Sequence, residues 1–322
     1  MKHRYLGTTG LKVSRLGLGT LMWGTDTDEH DAGDQLRAFV EAGGTLVDTA
    51  AGYGNGASES LLGSLLGTAV ARENVVLATK AGISRASGER VVDVSRGGLL
   101  RDLDGSLARL GVDHVDLWQV HTWSDDVPLD ETLTAVDAAV DSGRARYVGI
   151  SNYSGWQTAQ AITHQLAAPG RSRLAATQVE YSLLQRGIER EVVPAALALG
   201  LGILAWSPLG RGVLTGKYRT GVPADSRAAS AVFERYVGVH LNPKAAQIVE
   251  AVCRAAEGLE LSPTEVALAW VRDQPGVTAP IVGARTAGQL AASLTVEDVT
   301  LPDEIVDALD DVSAPDLGYP EI

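Results

Sequence analysis

Four polar side chains of complementary chemistry follow short apolar runs that have the length of buried strands. Asp48 ends the first of these runs, and Tyr53 follows it on a glycine-rich loop. Lys80 ends the second run, and His121 directly follows the third. In a barrel of parallel strands, the carboxyl ends of all the strands face one pocket. We therefore expect an acid, a phenol, an ammonium and an imidazole to meet in a single site.

Together these four groups suit the reduction of a carbonyl compound. A phenol has an unperturbed pKa of about 10 and is a poor proton donor at neutral pH unless a cation lies beside it. Lys80 would supply that cation, and Asp48 would keep the buried ammonium charged by pairing with it. His121 would donate a hydrogen bond that orients the substrate oxygen. The hydride would have to come from a cofactor, because no side chain supplies one.

Each of the four residues also has an ordinary structural interpretation. Asp48 could cap the following loop, Tyr53 could pack on the surface, and His121 could be a hydrogen-bonded core histidine. Lys80 is harder to dismiss, because it is one of five lysines in the chain and ends an apolar run. Because four such groups occur at or just after predicted strand ends, a shared active site is favoured over four separate structural roles.

The rest of the chain alternates strand-like and helix-like segments. Helices are predicted where apolar residues recur on one face, and Asp28 as N-cap and Gly111 as terminator are among the clearest boundary signals. The predicted barrel strands are 16–20, 45–48, 75–79, 115–120, 147–150, 176–179, 202–205 and 278–282. These eight strand–helix steps predict an α/β fold, a (β/α)8 TIM barrel, over one domain covering 1–322.

Three additions to the repeat are predicted: an N-terminal β-hairpin within 5–15, a long irregular segment at 208–242 after strand seven, and an extra C-terminal helix at about 302–312. A doubly wound sheet is the rival fold, since it shows the same alternation. That fold normally carries G-x-G-x-x-G after its first strand. Gly17 and Gly19 have the right spacing, but position 22 is Met22, so the barrel is favoured.

Composition narrows the class of protein. The 322 residues carry a net charge of −13, and no local basic patch offsets it, so we expect no nucleic-acid partner. Cys253 is the only cysteine, which leaves no cysteine cluster for a metal. No window approaches the roughly 20 apolar residues of a membrane span, and residues 1–5 lack the apolar core of a signal peptide. We expect a cytoplasmic protein without a membrane partner, and oligomeric state is left open.

Six segments resemble the signature segments of the aldo-keto reductase family, and the resemblance covers nearly the whole chain. They are 48–53, 75–80, 101–117, 149–152, 178–181 and 206–209. The variants are most similar to the bacterial reductases and the potassium-channel β subunits of that family. The resemblance implies that Tyr53 is the general acid, that Lys80 and Asp48 tune it, and that His121 orients the carbonyl group.

The resemblance also implies NADPH/NADP+ as cofactor. Ser151, Asn152 and Gln178 would hold the nicotinamide carboxamide, and Trp206 would stack on the ring. Arg285 and Gln289 would meet the adenosine 2′-phosphate, where a guanidinium fork suits the dianion. The full set implied to contact the cofactor is Thr20, Asp48, Ser151, Asn152, Gln178, Trp206, Ser207, Leu209, Gly212, Lys217, Arg227, Arg285 and Gln289.

Two further expectations concern the surroundings of the site. Trp23, Tyr53 and Trp123 would wall the space for a small-molecule carbonyl substrate. The segment 208–242 would form a lid over the cofactor, because long loops in compact domains are usually functional. Ala292 and Ser293 stand where relatives often have Glu and Asn, which predicts weaker adenine contacts. Val282 likewise departs from a frequent proline.

Three functions remain open on the sequence. The first is an NADPH-dependent reductase of aldehydes or ketones. The second is a cofactor-sensing regulatory subunit that resembles the channel β subunits and retains slow reductase activity. The third is a metal-dependent barrel hydrolase or lyase, which needs several converging ligands, and only Asp48 and His121 are candidates. We therefore expect no metal site.

Overall fold

A computed structural model describes residues 1–224, 226–229, 234–315 and 318–319 of the protein. Its strands are β1 (His3–Tyr5), β2 (Lys12–Ser14), β3 (Gly17–Gly19), β4 (Leu46–Asp48), β5 (Val76–Ala81), β6 (Ile83–Ser84), β7 (Val91–Val92), β8 (Val115–Val120), β9 (Ala145–Ser151), β10 (Leu174–Glu180), β11 (Gly202–Trp206) and β12 (Val277–Val282). Eight of them form a closed barrel in the order β3, β4, β5, β8, β9, β10, β11, β12. All its pairs are parallel, which confirms the predicted (β/α)8 architecture.

Helices cover the outside of the barrel. They are α1 (Glu29–Glu41), α2 (Ala57–Leu65), α3 (Arg96–Leu110), α4 (Leu129–Asp141), α5 (Gly155–Leu166), α6 (Val192–Leu199), α7 (Glu234–Gly238), α8 (Pro243–Gly258), α9 (Pro263–Asp273), α10 (Ala287–Leu294) and α11 (Asp303–Ser313). Their boundaries have local causes. Asp28 and Ser95 accept backbone N–H groups at the starts of α1 and α3, and Gly111 ends α3 in the left-handed conformation.

The apolar core has two parts. The larger part lies between the helices and the outer face of the barrel. The smaller part fills the barrel itself, and its strand residues include Leu46, Ala78, Leu117, Ala176, Leu204, Ala279 and Ile281. Leu6 and Val13 of the N-terminal hairpin join this inner cluster, so the hairpin covers the end of the barrel opposite the strand carboxyl ends. The carboxyl end is therefore the open one.

Three details differ from the sequence-based expectations. The segment 208–242 is not wholly irregular, since it contains a 3-10 helix at Gly210–Thr215 and the short α7. The apolar pattern predicts a helix over about Ile188–Leu199, whereas α6 begins at Val192, after a separate 3-10 turn at Gly187–Glu189. A second hairpin, β6–β7, was not predicted. Within the described ranges, no helix has both the length and the apolar character needed to cross a bilayer.

Candidate active site

The four predicted catalytic residues lie at the carboxyl end of three barrel strands. Asp48 is the last residue of β4, Lys80 is the penultimate residue of β5, and His121 follows β8. Tyr53 begins a 3-10 turn beyond β4, in which Gly54 and Asn55 adopt left-handed conformations. Such backbone conformations are uncommon outside glycine and cluster at functional sites.

A buried ion pair joins the first two strands of the site. Lys80 Nζ lies 2.6 Å from Asp48 Oδ2, and both side chains are 1–2% exposed. The ammonium also donates to the Thr49 carbonyl oxygen at 2.8 Å, and Gln178 Nε2 donates to Asp48 Oδ1 at 2.9 Å. Each carboxylate oxygen therefore has a donor. A buried pair of this kind is maintained only when the remaining lone pairs are also satisfied.

Tyr53 lies beside this pair. Its ring centroid is 4.9 Å from Lys80 Nζ, and the ring is half-buried. Burial raises the pKa of the Tyr53 phenol above its ordinary value, and Asp48 raises it further, while Lys80 opposes both. The net direction is upward, because burial and Asp48 together raise the pKa by more than Lys80 lowers it. The phenol is thus fully protonated at neutral pH, and Lys80 limits how far its pKa rises.

The pKa values of Lys80 and His121 are shifted in opposite directions, so Lys80 is charged and His121 is neutral. Burial would lower the pKa of Lys80, but the Asp48 carboxylate reverses the direction, so the pKa lies above its ordinary value. Burial lowers the pKa of His121 well below its ordinary value, and the Lys80 charge adds to this. The imidazole is therefore neutral at pH 7. Its ring lies 5.9 Å from the Tyr53 ring at an angle of 75°. Two donors, a phenol and a neutral imidazole, thus border the same space.

Next to these groups lie the residues expected to hold a nicotinamide. Ser151 ends β9 and donates its hydroxyl to the Gln178 carbonyl oxygen at 2.8 Å. Asn152 follows with a φ of +59°, and its amide donates to the His121 carbonyl oxygen at 2.9 Å. Trp206, the last residue of β11, donates its indole N–H to Asn152 Oδ1 at 3.0 Å. Strands β8 to β11 are therefore connected by side chains along the rim.

The chain after β11 turns sharply. Ser207, Gly210, Arg211 and Gly212 all have positive φ values, between +52° and +93°. The Gly210 and Gly212 backbone N–H groups close this turn by donating to the Ser207 and Leu209 carbonyl oxygens at 2.9 and 3.0 Å. A Cβ atom added to Gly212 would lie 3.4 Å from Lys217 Nζ, so a cation stands next to this turn. Leu209, just before the turn, is half-buried.

The residues expected near the adenosine end lie after β12. Arg285 is partly exposed, and its guanidinium has no ion-pair partner among the residues that the structure describes. Gln289 accepts the Arg285 backbone N–H at 3.0 Å, so its carboxamide shapes the turn that carries this arginine. Ser293 is buried and bonds to Gln289 within its own helix. Arg227 lies in a short 3-10 turn, and its side chain is outside the described part.

Two of the predicted contact residues, Trp23 and Thr20, are buried against other protein groups. Trp23 is fully buried, and its indole N–H points to Gln35 Oε1 at 3.3 Å, so it does not wall an open space. Thr20 is fully buried and bonds to Ser58 at 2.8 Å and to the Asp48 carbonyl oxygen at 3.2 Å. It therefore supports the strand that carries Asp48. Trp123 remains partly exposed.

An aromatic cluster surrounds Trp123. Its ring contacts Tyr153 at 5.2 Å and Trp156 at 5.4 Å between centroids, both in edge-to-face geometry. Trp156 is 58% exposed, so the cluster reaches the surface. A cavity of about 550 Å³ lies alongside, with Tyr153, Asn152 and Trp206 among its lining residues.

Sequence reasoning missed a polar network that holds the segment after β11. Arg211 forms a bidentate pair with Glu180, at 2.7 and 2.9 Å, and donates to the Tyr236 carbonyl oxygen. Its guanidinium stacks on the Tyr236 ring at 4.0 Å and lies 5.9 Å from the Trp206 ring centroid. His240 lies 3.3 Å from Glu180. The left-handed Arg211 had no local sequence signal, because its partners are 25–31 residues away.

No group of three or more His, Cys, Asp or Glu side chains is close enough to hold a metal ion within the described ranges. The metal-dependent alternative therefore has no ligand set in this part of the chain.

Comparison with known proteins identifies the family. The model of the aldo/keto reductase family matches residues 15–314. The chain belongs to the aldo/keto reductase family. An uncharacterized oxidoreductase of Bacillus subtilis is 39% identical to this family member over 323 residues, which cover 97% of this chain and 96% of the relative.

Two other relatives are named for different roles, one as a reductase and one as a channel subunit. A protein named aldo-keto reductase, also from B. subtilis, is 33% identical over 317 residues, covering 94% of this chain and 91% of the relative. A probable voltage-gated potassium channel subunit beta of Oryza sativa subsp. japonica is 34% identical over 321 residues, which cover 97% of this chain and 96% of the relative. This aldo/keto reductase is accordingly an oxidoreductase of a family that generally uses NAD(P)H.

Proposed function

We propose that this protein is an NADPH-dependent reductase of aldehydes or ketones in which Tyr53 is the general acid. The observation that carries the proposal is the connected set formed by Tyr53, the buried Lys80–Asp48 pair and the neutral His121. Such a set supplies a proton and a second hydrogen bond to one oxygen atom. General-acid assistance is typically worth about 10²–10⁴-fold in rate.

Each residue has one role in the proposed reaction. His121 donates a hydrogen bond to the carbonyl oxygen and orients it toward Tyr53. Tyr53 transfers its phenolic proton to that oxygen as negative charge develops there. Lys80 stabilises the phenolate that remains, and Asp48 keeps Lys80 protonated. A bound reduced nicotinamide supplies the hydride.

The rim residues fit a dinucleotide. Gln178 and Asn152 present amides beside the partly exposed Trp206, which suits a carboxamide next to a stacked ring. The Lys217 ammonium, next to the left-handed turn at 210–212, supplies a positive charge that suits a pyrophosphate. Ser293 donates its hydroxyl to the Gln289 carbonyl oxygen within α10, and weaker adenine contacts stay a prediction. A lid role for 208–242 remains a prediction, and the Arg211–Glu180 pair is the contact that would hold it.

Arg285 should discriminate between the two dinucleotides. Its guanidinium has no acidic partner within the described ranges and so is available to a 2′-phosphate. Charge-assisted hydrogen bonds are worth about 1.5–3 kcal/mol. Arg285→Ala should therefore raise the Kd for NADPH by about 10–100-fold and change the Kd for NADH by less than about threefold. Fluorescence titration with both dinucleotides measures this, and equal losses would mean that Arg285 does not contact the 2′-phosphate.

A substrate panel tests the proposal directly. Purified protein is mixed with NADPH and aldehydes, quinones, steroids or keto-sugars, and cofactor oxidation is followed by absorbance. We expect turnover of at least one class, with activity retained in the presence of a chelator. Activity that disappears in chelator would contradict a reaction carried by these four side chains and the dinucleotide.

The potassium channel relative favours one alternative, a cofactor-sensing regulatory subunit with slow residual chemistry. The same panel separates the two proposals. A protein that binds NADPH tightly but turns over no carbonyl compound would favour the regulatory role.

A further inference from the structure

The unpredicted hairpin β6–β7 rises from the rim of the candidate site. β6 begins two residues after Ala81, the last residue of barrel strand β5, and pairs antiparallel with β7. The register places Ile83 opposite Val92 and Ser84 opposite Val91. The hairpin is therefore a direct extension of the strand that carries Lys80.

The base of this hairpin lies between the two residues that would face a substrate. A Cβ atom added to Gly52, the neighbour of Tyr53, would lie 2.7 Å from the Ile83 carbonyl oxygen. On the other side, the backbone N–H of His121 donates to the Ala81 carbonyl oxygen at 2.9 Å. The hairpin thus starts beside Tyr53 and His121 and continues outward from them.

Two arginines occupy the first positions beyond the paired residues. Arg85 and Arg90 continue the register by one step, which places them opposite each other, and both are exposed. Neither side chain has a hydrogen bond or an ion-pair partner in the described part of the chain. The nearby Asp93 pairs instead with Arg101 at 3.1 Å. Like charges at opposing positions destabilise a hairpin, so this arrangement has a cost unless an anion binds between them.

The two positive charges act on the site itself. After burial and Lys80, Arg90 and Arg85 are the groups that lower the pKa of His121. The chain as a whole carries a net charge of −13, so a pair of unpaired cations at this rim contrasts with the rest of the molecule. Local positive charge beside a pocket attracts anionic ligands and raises their local concentration.

We propose that Arg85 and Arg90 form an anion-binding subsite, and that the preferred substrates are aldehydes or ketones with a carboxylate or phosphate monoester remote from the carbonyl group. The inference rests on the proposed reductase function. The carbonyl group would lie between Tyr53 and His121, and the anionic end of the substrate would extend along the hairpin. Guanidinium groups suit both anions, because their N–H donors match the oxygen geometry.

A matched set of substrates tests this subsite. Methyl 4-formylbenzoate is neutral, 4-formylbenzoate carries one carboxylate, and 4-formylphenyl phosphate carries a phosphate monoester on the same aromatic aldehyde. We expect kcat/KM for the anionic aldehydes to exceed that for the neutral ester. The advantage should shrink as salt is raised, because exposed charges are screened. The larger advantage identifies which anion the subsite prefers.

A double variant and a charge-matched control isolate the arginines. Arg85→Gln with Arg90→Gln should lower the ratio of kcat/KM for 4-formylbenzoate over its methyl ester by about tenfold. The control is Arg146→Gln with Arg173→Gln, which changes net charge equally at the opposite end of the barrel, near the starts of β9 and β10. The control should leave the ratio within about twofold of its original value.

The outcomes separate the two proposals. Turnover of the neutral ester without an advantage for the anionic aldehydes, or an equal ratio in the double variant, would overturn the anion subsite and leave the reductase standing. If no aldehyde is turned over, the reductase proposal fails. Calorimetric titration of 4-formylbenzoate into the NADP+-loaded protein then decides the subsite. Binding that the double variant weakens about tenfold supports it, and absent or unchanged binding overturns it.

Discussion

Tyr53→Phe should lower kcat for carbonyl reduction by about 10³-fold or more while leaving the Kd for NADPH within about twofold. The substitution removes one oxygen atom, the one that would give its proton to the substrate. The ring remains, so its packing beside His121 and Lys80 is preserved. Steady-state kinetics and a cofactor titration measure the two quantities separately.

Tyr147→Phe is the matched control for this experiment. Tyr147 lies on β9 toward the N-terminal hairpin, where its hydroxyl would lie 3.6 Å from a Cβ atom added to Gly10. It should lose no activity. If the Tyr53 variant kept more than about a tenth of the original kcat, the proton would have to come from another group.

Lys80→Met should have two effects of different origin. It leaves the Asp48 carboxylate buried without its charged partner, and removing one member of a buried pair typically costs about 3–5 kcal/mol. It also removes Lys80, whose charge lowers the pKa of Tyr53 against the effects of burial and Asp48. The phenol should become a weaker acid, so kcat falls by about 10²-fold or more and any alkaline limb moves to higher pH. Urea unfolding and a pH–rate profile measure the two effects.

Combining Lys80→Met with Asp48→Asn distinguishes stability from chemistry. The double variant removes the unpaired charge, so it should regain most of the lost free energy of unfolding. Its activity should stay low, because no cation remains beside the phenol. If restored stability also restored turnover, Lys80 would be acting through folding alone.

The raised pKa of Tyr53 is compatible with acid catalysis. A phenol whose pKa lies above its ordinary value remains protonated throughout the neutral range. It can still protonate a developing alkoxide, which is a much stronger base. Lys80 then matters most in the transition state, when negative charge appears on the phenol oxygen. Electrostatic stabilisation of this kind acts where charge develops, not in the resting protein.

The polar network around Arg211 connects the cofactor segment to the barrel. Glu180 is largely desolvated, and burial would raise its pKa, but His240 and Arg211 reverse the direction, so the carboxyl stays ionised. The ionised carboxylate fixes the guanidinium over Tyr236 and near Trp206. The segment after β11 is thus attached to β10 by charge as well as by packing.

The sequence by itself determined the barrel and the strand ends that carry Asp48, Lys80 and His121. Both follow from local signals: apolar runs of strand length, helix caps, and the rule that parallel strands present their carboxyl ends on one face. The strand Val115–Val120 was predicted with its observed bounds for this reason.

Only the tertiary structure decided which of the remaining side chains reach the site. Trp23 and Thr20 follow a barrel strand much as Lys80 ends one, yet the Trp23 indole donates to Gln35 and the Thr20 hydroxyl bonds to Ser58, away from the pocket. Arg211 meets Glu180 from 31 positions away. Arg85 and Arg90 come together only because a short hairpin forms between β5 and α3. The burial of a residue, the direction of its pKa shift and its long-range partners depend on which distant residues the fold places around it. The local sequence does not specify those neighbours.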